Sequence, residues 1–324
     1  MSKLTQYLHR LVRHTRASAK SEFRFWFAEF RHALFGFRGV FQKTVTVRTK
    51  REVFTVPTRD LIGGDIYINR QYYEHEFCLK TVEFLKTHGF IPRTNVSLLD
   101  IGANIGPICI GLAQAGQIDR AVAIEPEPQN FELLVKNVRQ NNLAGRIVCL
   151  QLAVGETPST LTMELSSNNR GDHRIRSQSP RTASEIYGES ARPKIEVPSL
   201  PLARLLALPD VQNVGLTKPC LVWIDVQGYE GYVFKGAIDL LKDGYPTVAE
   251  IWPYGILRAG MSLEELCQIV AAIWTDYWIL RESRYIRYPI SMFDRYIDEL
   301  SSDGPYGNVI FTRGQPASQA PAVV

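Results

Sequence analysis

Four acidic residues are the side chains of this sequence best suited to chemistry, because each of them ends or follows an apolar run. They are Asp100 in SLLDI, Glu125 after AVAI, Asp225 after LVWI and Glu250 in TVAEI. A carboxylate can accept hydrogen bonds from a ribose diol, pair with a cationic ligand, or take a proton from a reacting hydroxyl group. Any one of these acids could serve only to cap a helix, but the set of four indicates a ligand site at the ends of parallel strands.

The first acid opens a glycine-rich loop, DIGANIG, over residues 100–106. Gly102 and Gly106 allow the backbone to turn tightly and to approach a ligand closely, and Asn104 offers both a donor and an acceptor. A dinucleotide site favours G-x-G-x-x-G with a pyrophosphate over a helix N-terminus, whereas this loop reads G-x-N-x-G after an acid. A carboxylate repels phosphates and attracts the α-ammonium group of S-adenosylmethionine, so the loop favours that methyl donor.

Three blocks, in order along the chain, resemble the FkbM-type S-adenosylmethionine-dependent methyltransferases. They are LLDIGANIG (98–106), AIEPEPQNFELLVKNVRQNN (123–142) and WIDVQGYEGYVFKGA (223–237), and LAVGE (152–156) also fits the family. The resemblance covers roughly residues 96–252. It implies an α/β fold, a Rossmann-like class I methyltransferase sandwich whose mostly parallel seven-stranded sheet ends in an antiparallel pair.

The resemblance also implies roles for individual residues. The positions that would hold S-adenosylmethionine are Asp100, Gly102, Ala103, Asn104, Gly106, Glu125, Pro126 and Ala153. Among them, Glu125 would bind the ribose hydroxyls and Ala153 would lie near the adenine. Gln227 and Glu230 would bind the substrate at the reaction centre. The sequence departs from the family at Gln227, where Glu is usual, at Trp223, where Lys is frequent, and at PLARLL (201–206), which lacks an Asp.

Methyl transfer to a hydroxyl group needs a base that takes the hydroxyl proton as the new bond forms. Asp225 is the first candidate for this catalytic role, and Glu250, at the end of the next strand, is the second. His173, in NNRGDHR, is a third candidate if that segment closes over the site. His, Cys, Asp and Glu show no metal-ligand spacing, so we expect no metal.

Alternating strands and helices are the framework that must position these residues. From Val96 onward, apolar strands and amphipathic helices alternate, which predicts a parallel sheet with right-handed crossovers. Residues 276–282 and 308–313 predict the closing antiparallel pair. The polar segment 156–195 interrupts the alternation, and we expect it to be a mobile insertion that shapes the acceptor pocket.

The rest of the chain divides into three further parts. Residues 43–95 predict a β-hairpin, over 43–57, and a helix, over 71–88, that lead into a methyltransferase domain over 96–314. Residues 315–324 predict a disordered tail. Residues 1–42 predict a basic arm of two amphipathic helices.

The arm carries the basic character of this 324-residue chain, whose net charge is +4: residues 1–51 hold twelve Lys and Arg against two acids. Its second helix has an aromatic stripe at helical spacing, formed by Phe23, Trp26, Phe27, Phe30, Leu34 and Phe37. Such a stripe suits packing on the domain, a homo-oligomer contact, or a membrane surface. A helical apolar stripe argues against stacked bases, so we expect no nucleic-acid partner.

The composition predicts a cytoplasmic protein, with peripheral contact at the inner membrane surface as an option for the arm. The sequence shows no apolar run long enough to span a bilayer and no secretory leader, and its five cysteines are scattered. That pattern is typical of reduced, buried cysteines rather than of a disulfide framework.

The leading functional interpretation is O-methylation of a hydroxyl group on a small molecule, carbohydrate, glycolipid or other natural product. The preference for a hydroxyl comes from the resemblance alone. One alternative is a nicotinamide-dependent oxidoreductase, against which the missing G-x-G-x-x-G and the terminal strand pair argue. Another is a non-catalytic, membrane-associated scaffold with a methyltransferase-like fold.

Overall fold

A computed structural model describes residues 28–314 of the chain apart from 29, 73, 217 and 301–303. Its strands are β1 (Thr44–Arg48), β2 (Val53–Pro57), β3 (Ser97–Ile101), β4 (Arg120–Ile124), β5 (Ile147–Leu150), β6 (Ala153–Val154), β7 (Ser159–Glu164), β8 (Arg174–Ile175), β9 (Lys194–Leu200), β10 (Leu221–Ile224), β11 (Thr247–Ile251), β12 (Asp276–Arg281), β13 (Arg284–Pro289) and β14 (Gly307–Thr312).

Helices cover both faces of the main sheet. They are α1 over 30–41, α2 (Leu61–Asn69), α3 (His75–Thr87), α4 (Pro107–Gln114), α5 (Pro128–Gln140), α6 (Leu202–Leu206), α7 (Pro209–Asn213), α8 (Glu230–Gly236), α9 (Ile238–Leu241), α10 (Pro253–Arg258), α11 (Leu263–Ile273) and α12 (Phe293–Leu300). Because side chains alternate along a strand, Leu98 of β3 packs into one core and Leu99 into the other. The sheet is therefore the middle layer of a sandwich.

The main sheet has eight strands in the order β13-β12-β14-β11-β10-β3-β4-β5. Its central strands are parallel, and β3 and β11 are buried along their whole length. The chain fills the sheet on one side of β3 with β4 and β5, and then returns to fill the other side with β10 and β11. The strand order thus reverses between β3 and β10, which is where such sheets bind ligands.

The antiparallel end of the sheet confirms the Rossmann-like prediction and extends it. β14 runs antiparallel to both β11 and β12, as residues 276–282 and 308–313 predict. β13 adds an eighth strand at the edge. Only Tyr285 and Tyr288 of β13 are partly buried. The sequence of β13 therefore lacks the regular apolar alternation that would predict a strand.

The polar insertion contains strands that the sequence analysis does not anticipate. β6, β9, β7 and β8 form a second, four-stranded sheet whose pairs include antiparallel β7 and β9. The apolar run 146–154 is divided between the two sheets, because β5 completes the main sheet and β6 pairs with β9 in the second. A small core of Ala153, Met163, Ile175 and Val197 lies under this second sheet.

The N-terminal hairpin predicted over 43–57 is present as antiparallel β1 and β2, and the helix predicted over 71–88 is α3. Side-chain amides of α5 bind the outer backbone of the hairpin. Asn137 Oδ1 accepts from the Thr55 amide at 2.7 Å, and Asn141 Oδ1 accepts from the Val53 amide at 2.8 Å. These bonds satisfy a strand edge that would otherwise be unpaired.

The arm predicted over 1–42 is described only at its C-terminal end. Its first predicted helix lies outside the described residues, whereas α1 carries part of the second. Within the described part of the chain, no helix has the length and apolarity needed to cross a membrane.

Candidate functional site

The reversal of strand order brings the first and third predicted acids, Asp100 and Asp225, to the ends of neighbouring strands. Asp225 donates its backbone N–H to the Ile101 carbonyl at 2.9 Å, and a Cβ at Gly102 would overlap the Asp225 carbonyl oxygen. Gly102 has φ +89°, so both the space and the backbone angle require glycine there. A cavity of about 460 Å³ opens in front of this junction. Its volume lies in the range of small-molecule sites.

Asp100 supports the glycine-rich loop from behind. It is 1% exposed, it does not line the cavity, and its Oδ2 accepts from the Cys109 amide, in the first turn of α4, at 3.2 Å. Burial raises the pKa of Asp100 to about 7. Its Oδ1 is buried and has no hydrogen-bond partner among the described residues. Asp100 therefore holds the loop to α4, with one oxygen left for a further donor.

α4 begins immediately after the loop. Gly106 is its N-cap at φ +92°, and Pro107 takes the first helical position, where a missing N–H costs little. A Cβ on Gly106 would lie 2.6 Å from Ile110 Cδ1. Gly106 therefore shapes the loop by packing against apolar side chains, and only its neighbours reach the cavity.

Glu125 ties the end of β4 to the same loop. Its Oε2 accepts from the Asn104 amide at 2.9 Å, and its Oε1 accepts from the Glu127 amide at 2.9 Å. Burial raises the pKa of Glu125 to about 8, although both amide bonds oppose the shift. A carboxylate has about four lone-pair directions, so two remain for ligand hydroxyls. Glu125 lines the cavity together with Asn104 and Pro126.

Gln227 joins the two acids predicted as bases. Its Nε2 donates to Asp225 Oδ1 at 2.7 Å and to Glu250 Oε1 at 2.9 Å. Burial raises the pKa of Asp225, and burial together with the nearby charge of Asp225 raises the pKa of Glu250 well above its usual range. Two carboxylates on one amide repel each other, so the pair binds its first proton more tightly than two separate carboxyl groups would.

Glu74 is a third carboxyl at this end of the cavity, and sequence reasoning missed it. It precedes α3 with φ +64°, and its Oε1 accepts from Asn308 Nδ2 at 2.6 Å. Burial and the charge of Asp225 raise its pKa to about 7. The sequence around Glu74, YEHEF, does not indicate a site residue, because only the tertiary fold brings Glu74 close to Asp225.

Glu230 lies behind the cavity wall rather than in the cavity. It is 0% exposed and does not line the cavity. Its Oε1 accepts from the amides of Val226 at 3.1 Å and Gly228 at 3.2 Å. In this position it holds the turn that presents Gln227, and a direct substrate contact stays a prediction.

His173 lines the cavity from the inserted segment, as the prediction requires. Its Nδ1 accepts from the Ser166 amide at 3.0 Å, so Nε2 carries the proton in the neutral ring. Burial and the neighbouring Arg170 and Arg192 lower its pKa to about 4. A neutral His173 with a protonated Nε2 can donate a hydrogen bond to a ligand, whereas the arrangement disfavours a base role.

Two parts of the chain close the cavity, and sequence reasoning assigned a site role to only one of them. The inserted turn contributes Asn169, Arg170 and Gly171, and α2 contributes Ile62 and Asp65. Both therefore form part of the cavity wall.

Arg174 fixes the inserted segment to the domain. It is 4% exposed, pairs with Asp172 at 2.5 Å and Glu189 at 2.9 Å, and lies 4.4 Å from the Trp252 ring centroid. Glu189 also accepts from the Tyr254 hydroxyl at 2.5 Å. Trp252 and Tyr254 follow β11 directly, so the insertion is tied to the strand that carries Glu250.

The structure thus brings most of the predicted site residues to one cavity. Those that line it are Gly102, Ala103, Asn104, Glu125, Pro126, Ala153, His173, Asp225, Gln227 and Glu250. Asp100, Gly106 and Glu230 support it from behind. Among the described residues, no group of three or more His, Cys, Asp and Glu is placed to hold a metal ion.

Comparison of the sequence with known proteins identifies methyltransferases as relatives. The profile of the methyltransferase FkbM domain matches residues 100–273. Methyltransferase sdnD of Sordaria araneosa is 25% identical over 182 residues, which cover 50% of this chain and 69% of that protein. The hexuronic acid methyltransferase AglP of Haloferax volcanii is 26% identical over 156 residues, which cover 48% of this chain and 55% of that protein.

A crystal structure of a methyltransferase FkbM from Methylobacillus flagellatus is also similar. It shares 16% identity at a TM-score of 0.40, over 76% of this chain and 52% of that one, a likeness too distant to carry an argument. The family profile matches more than half of the sequence and includes the loop, Glu125 and the Asp225–Gln227–Glu250 group. The chain belongs to the FkbM methyltransferase family.

Proposed function

We propose that this chain transfers a methyl group from S-adenosylmethionine to a hydroxyl group of a sugar-containing acceptor. The observation that carries the proposal is the Asp225–Gln227–Glu250 group, which lies in one cavity with the glycine-rich loop and Glu125. The matched relatives are only partly covered by this chain, so the activity rests on the site as well as on the family.

The cavity fits the proposed methyl donor in charge and shape. Glu125 retains lone pairs for the ribose diol, and the apolar side chains of Ile124, Leu152 and Val154 offer a wall for adenine. The carboxylates at the far end suit a ligand that carries a sulfonium and an ammonium group. When bound, S-adenosylmethionine supplies an electrophilic methyl group.

Asp225 is the base in this proposal, and Glu250 keeps the proton of the pair. Asp225 Oδ1 is held by Gln227, which leaves Oδ2 to accept the proton of the acceptor hydroxyl. Its raised pKa brings its basicity closer to neutral pH, where a base is most effective. Holding the hydroxyl in line with the donor is the larger part of the task.

A sugar acceptor is supported by the chemistry of the lining and by one relative. Asp225, Glu250 and the Gln227 amide are spaced to bind neighbouring hydroxyl groups, and His173 adds a donor. AglP, which is named as a hexuronic acid methyltransferase, is 26% identical to this chain over 156 residues. We therefore place the acceptor among carbohydrates and their conjugates.

The test is a transfer assay with the methyl-labelled donor and a panel of alkyl glycosides and glycuronides. We expect the parent chain to label at least one class. The Asp225→Asn variant should lose at least about a hundredfold in kcat/KM, a loss much larger than its loss of donor affinity. Asp239→Asn, at an exposed position on α9, is the matched control. Saturable binding of a nicotinamide dinucleotide, with none of S-adenosylmethionine, would overturn the proposal.

A further inference from the structure

α1 is fixed to the domain by one face. Phe35 is buried with its ring centroid 5.1 Å from that of Tyr67, and Arg31 donates to the Ile68 carbonyl at 2.8 Å. Arg59 donates to the Gly39 carbonyl at 3.0 Å. These contacts determine which face of α1 points away from the domain.

The outward face of α1 is apolar. Phe30, Phe37, Val40 and Phe41 are 63%, 62%, 64% and 73% exposed, and we call them the α1 stripe. Among the described residues, Leu61 is the one other large apolar side chain exposed to this degree, whereas these four share one helix. A concentrated apolar patch of this kind marks an interaction surface.

The charge around the α1 stripe is positive. From residue 30 to residue 51 the sequence contains no Asp or Glu, but it contains six Lys and Arg, including Arg38 and Lys43. The preceding residues 1–27 add six more basic residues against one acid. Aromatic side chains flanked by Lys and Arg are complementary to an anionic lipid surface, where rings enter the interface and cations meet headgroups.

A groove of about 620 Å³ shares lining residues with both the α1 stripe and the site cavity. One end is lined by Val40 and Phe41 of the stripe, with Lys43 beside them. The other end is lined by Arg170 and His173, which also line the site cavity. The groove therefore lies beside an apolar, basic surface and meets the site cavity at Arg170 and His173.

We propose that the α1 stripe docks on an anionic phospholipid surface, and that the groove admits the polar headgroup of an amphiphilic acceptor from that surface. The second half of this proposal, which names a lipid-linked sugar as the substrate class, rests on the proposed function. An acceptor held in a membrane leaves its apolar part beside α1 and extends its hydroxyl groups past Arg170 to Asp225.

The docking is tested on the full chain with vesicles. We expect the parent to bind vesicles of phosphatidylcholine with phosphatidylglycerol and to bind phosphatidylcholine alone much more weakly. The Phe30→Ser/Phe37→Ser variant should bind the anionic vesicles at least tenfold more weakly. Ile186→Ser/Ile286→Ser removes two exposed apolar side chains elsewhere and should bind like the parent.

Three outcomes would overturn the docking. They are a parent that does not bind anionic vesicles, a Phe30→Ser/Phe37→Ser variant that binds them as the parent does, and a parent that self-associates through the stripe. The last is recognised by light scattering, as a dimer that the variant loses, and it would identify a second copy as the occupant.

The groove is tested by labelling a total membrane extract with the methyl-labelled donor. Ser167→Trp fills the groove at an exposed lining position and should reduce the label in solvent-extractable lipid at least tenfold, with unchanged donor affinity. Equal labelling by Ser167→Trp would exclude the route. A chain that binds vesicles but labels no acceptor of any kind would refute the proposed function and leave the docking intact.

Discussion

Gln227 determines how the two strand-end acids share a proton. Its backbone has φ +54°, an angle uncommon for a residue with a side chain, and Glu230 holds the turn in that conformation. One amide group then donates to both Asp225 and Glu250. Because an amide adds no charge, it orients the acids without adding to their repulsion.

Replacing Gln227 by Glu therefore predicts a change in pH dependence. The variant loses both donated hydrogen bonds and places a further carboxyl group beside Asp225 and Glu250, so the pKa of Asp225 rises further. A base must be deprotonated to act, and the acidic limb of the kcat/KM profile should move upward by about one pH unit. The profile, measured from pH 5 to pH 9 with Gln227→Met as the uncharged control, checks this. A limb that coincides with that of the parent would exclude Gln227 as the orienting residue.

At the residue scale, strand ends are predictable and tertiary neighbours are not. The apolar runs before Asp225 and Glu250 indicate where these acids lie, because the carboxyl ends of parallel strands all lie on the same side of the sheet. Glu74 follows no such apolar run, and only the packing of α3 on the domain brings it into the cavity. Asp100 shows the converse, since its motif indicates the loop but not whether its carboxyl faces the ligand or the helix behind it.

At the element scale, one side chain links the two parts that cover the cavity. Asp60 is 6% exposed, and its Oδ2 caps α2 by accepting from the Gly63 amide at 2.8 Å. Its Oδ1 accepts from the Arg170 amide at 2.6 Å. The Leu61 amide completes the link by donating to the Asn168 carbonyl at 3.0 Å. α2 and the inserted turn therefore move as a unit if they move at all.

Asp60→Asn should weaken this link. The variant has one side-chain oxygen in place of two, so it can cap α2 or hold Arg170 but not both. We expect a loss of about 1–2 kcal/mol in stability and a several-fold faster release of the methyl donor. Stopped-flow displacement measures the release rate, and Asp239→Asn again serves as the control. An unchanged rate would show that release does not require the link to open.

The insertion shows why elements outside the parallel sheet are harder to predict. β7 (STLTME) and β9 (KIEVPSL) alternate apolar and polar residues over very few positions, and several of their side chains are exposed. Such segments depend on pairing with each other rather than on a buried run. β6 illustrates the same limit, because its apolar sequence cannot indicate which sheet it will join.

At the scale of the whole molecule, carboxyl groups with raised pKa values are concentrated near the carboxyl ends of the parallel strands of the main sheet. Burial is the main cause for Glu74, Asp100 and Glu230, each raised to about 7, and for Glu125, raised to about 8. Each group binds a proton more tightly in the folded chain than in the unfolded chain. His173 opposes them, because its pKa falls to about 4.

The ligand-free protein should therefore lose stability as the pH rises from about 5 to about 8. In that range the folded state holds protons on these carboxyl groups that the unfolded state has already released, and stability falls wherever the folded state binds more protons. His173 contributes in the opposite direction, between about pH 4 and pH 6.5, but it is one group against four. We expect a melting temperature several degrees lower at pH 8 than at pH 5.5. Asp100→Asn keeps an acceptor for the Cys109 amide and cannot titrate, so thermal melts of this variant should show a flatter dependence. An identical slope in the variant and the parent would mean that Asp100 is already ionised in the folded state.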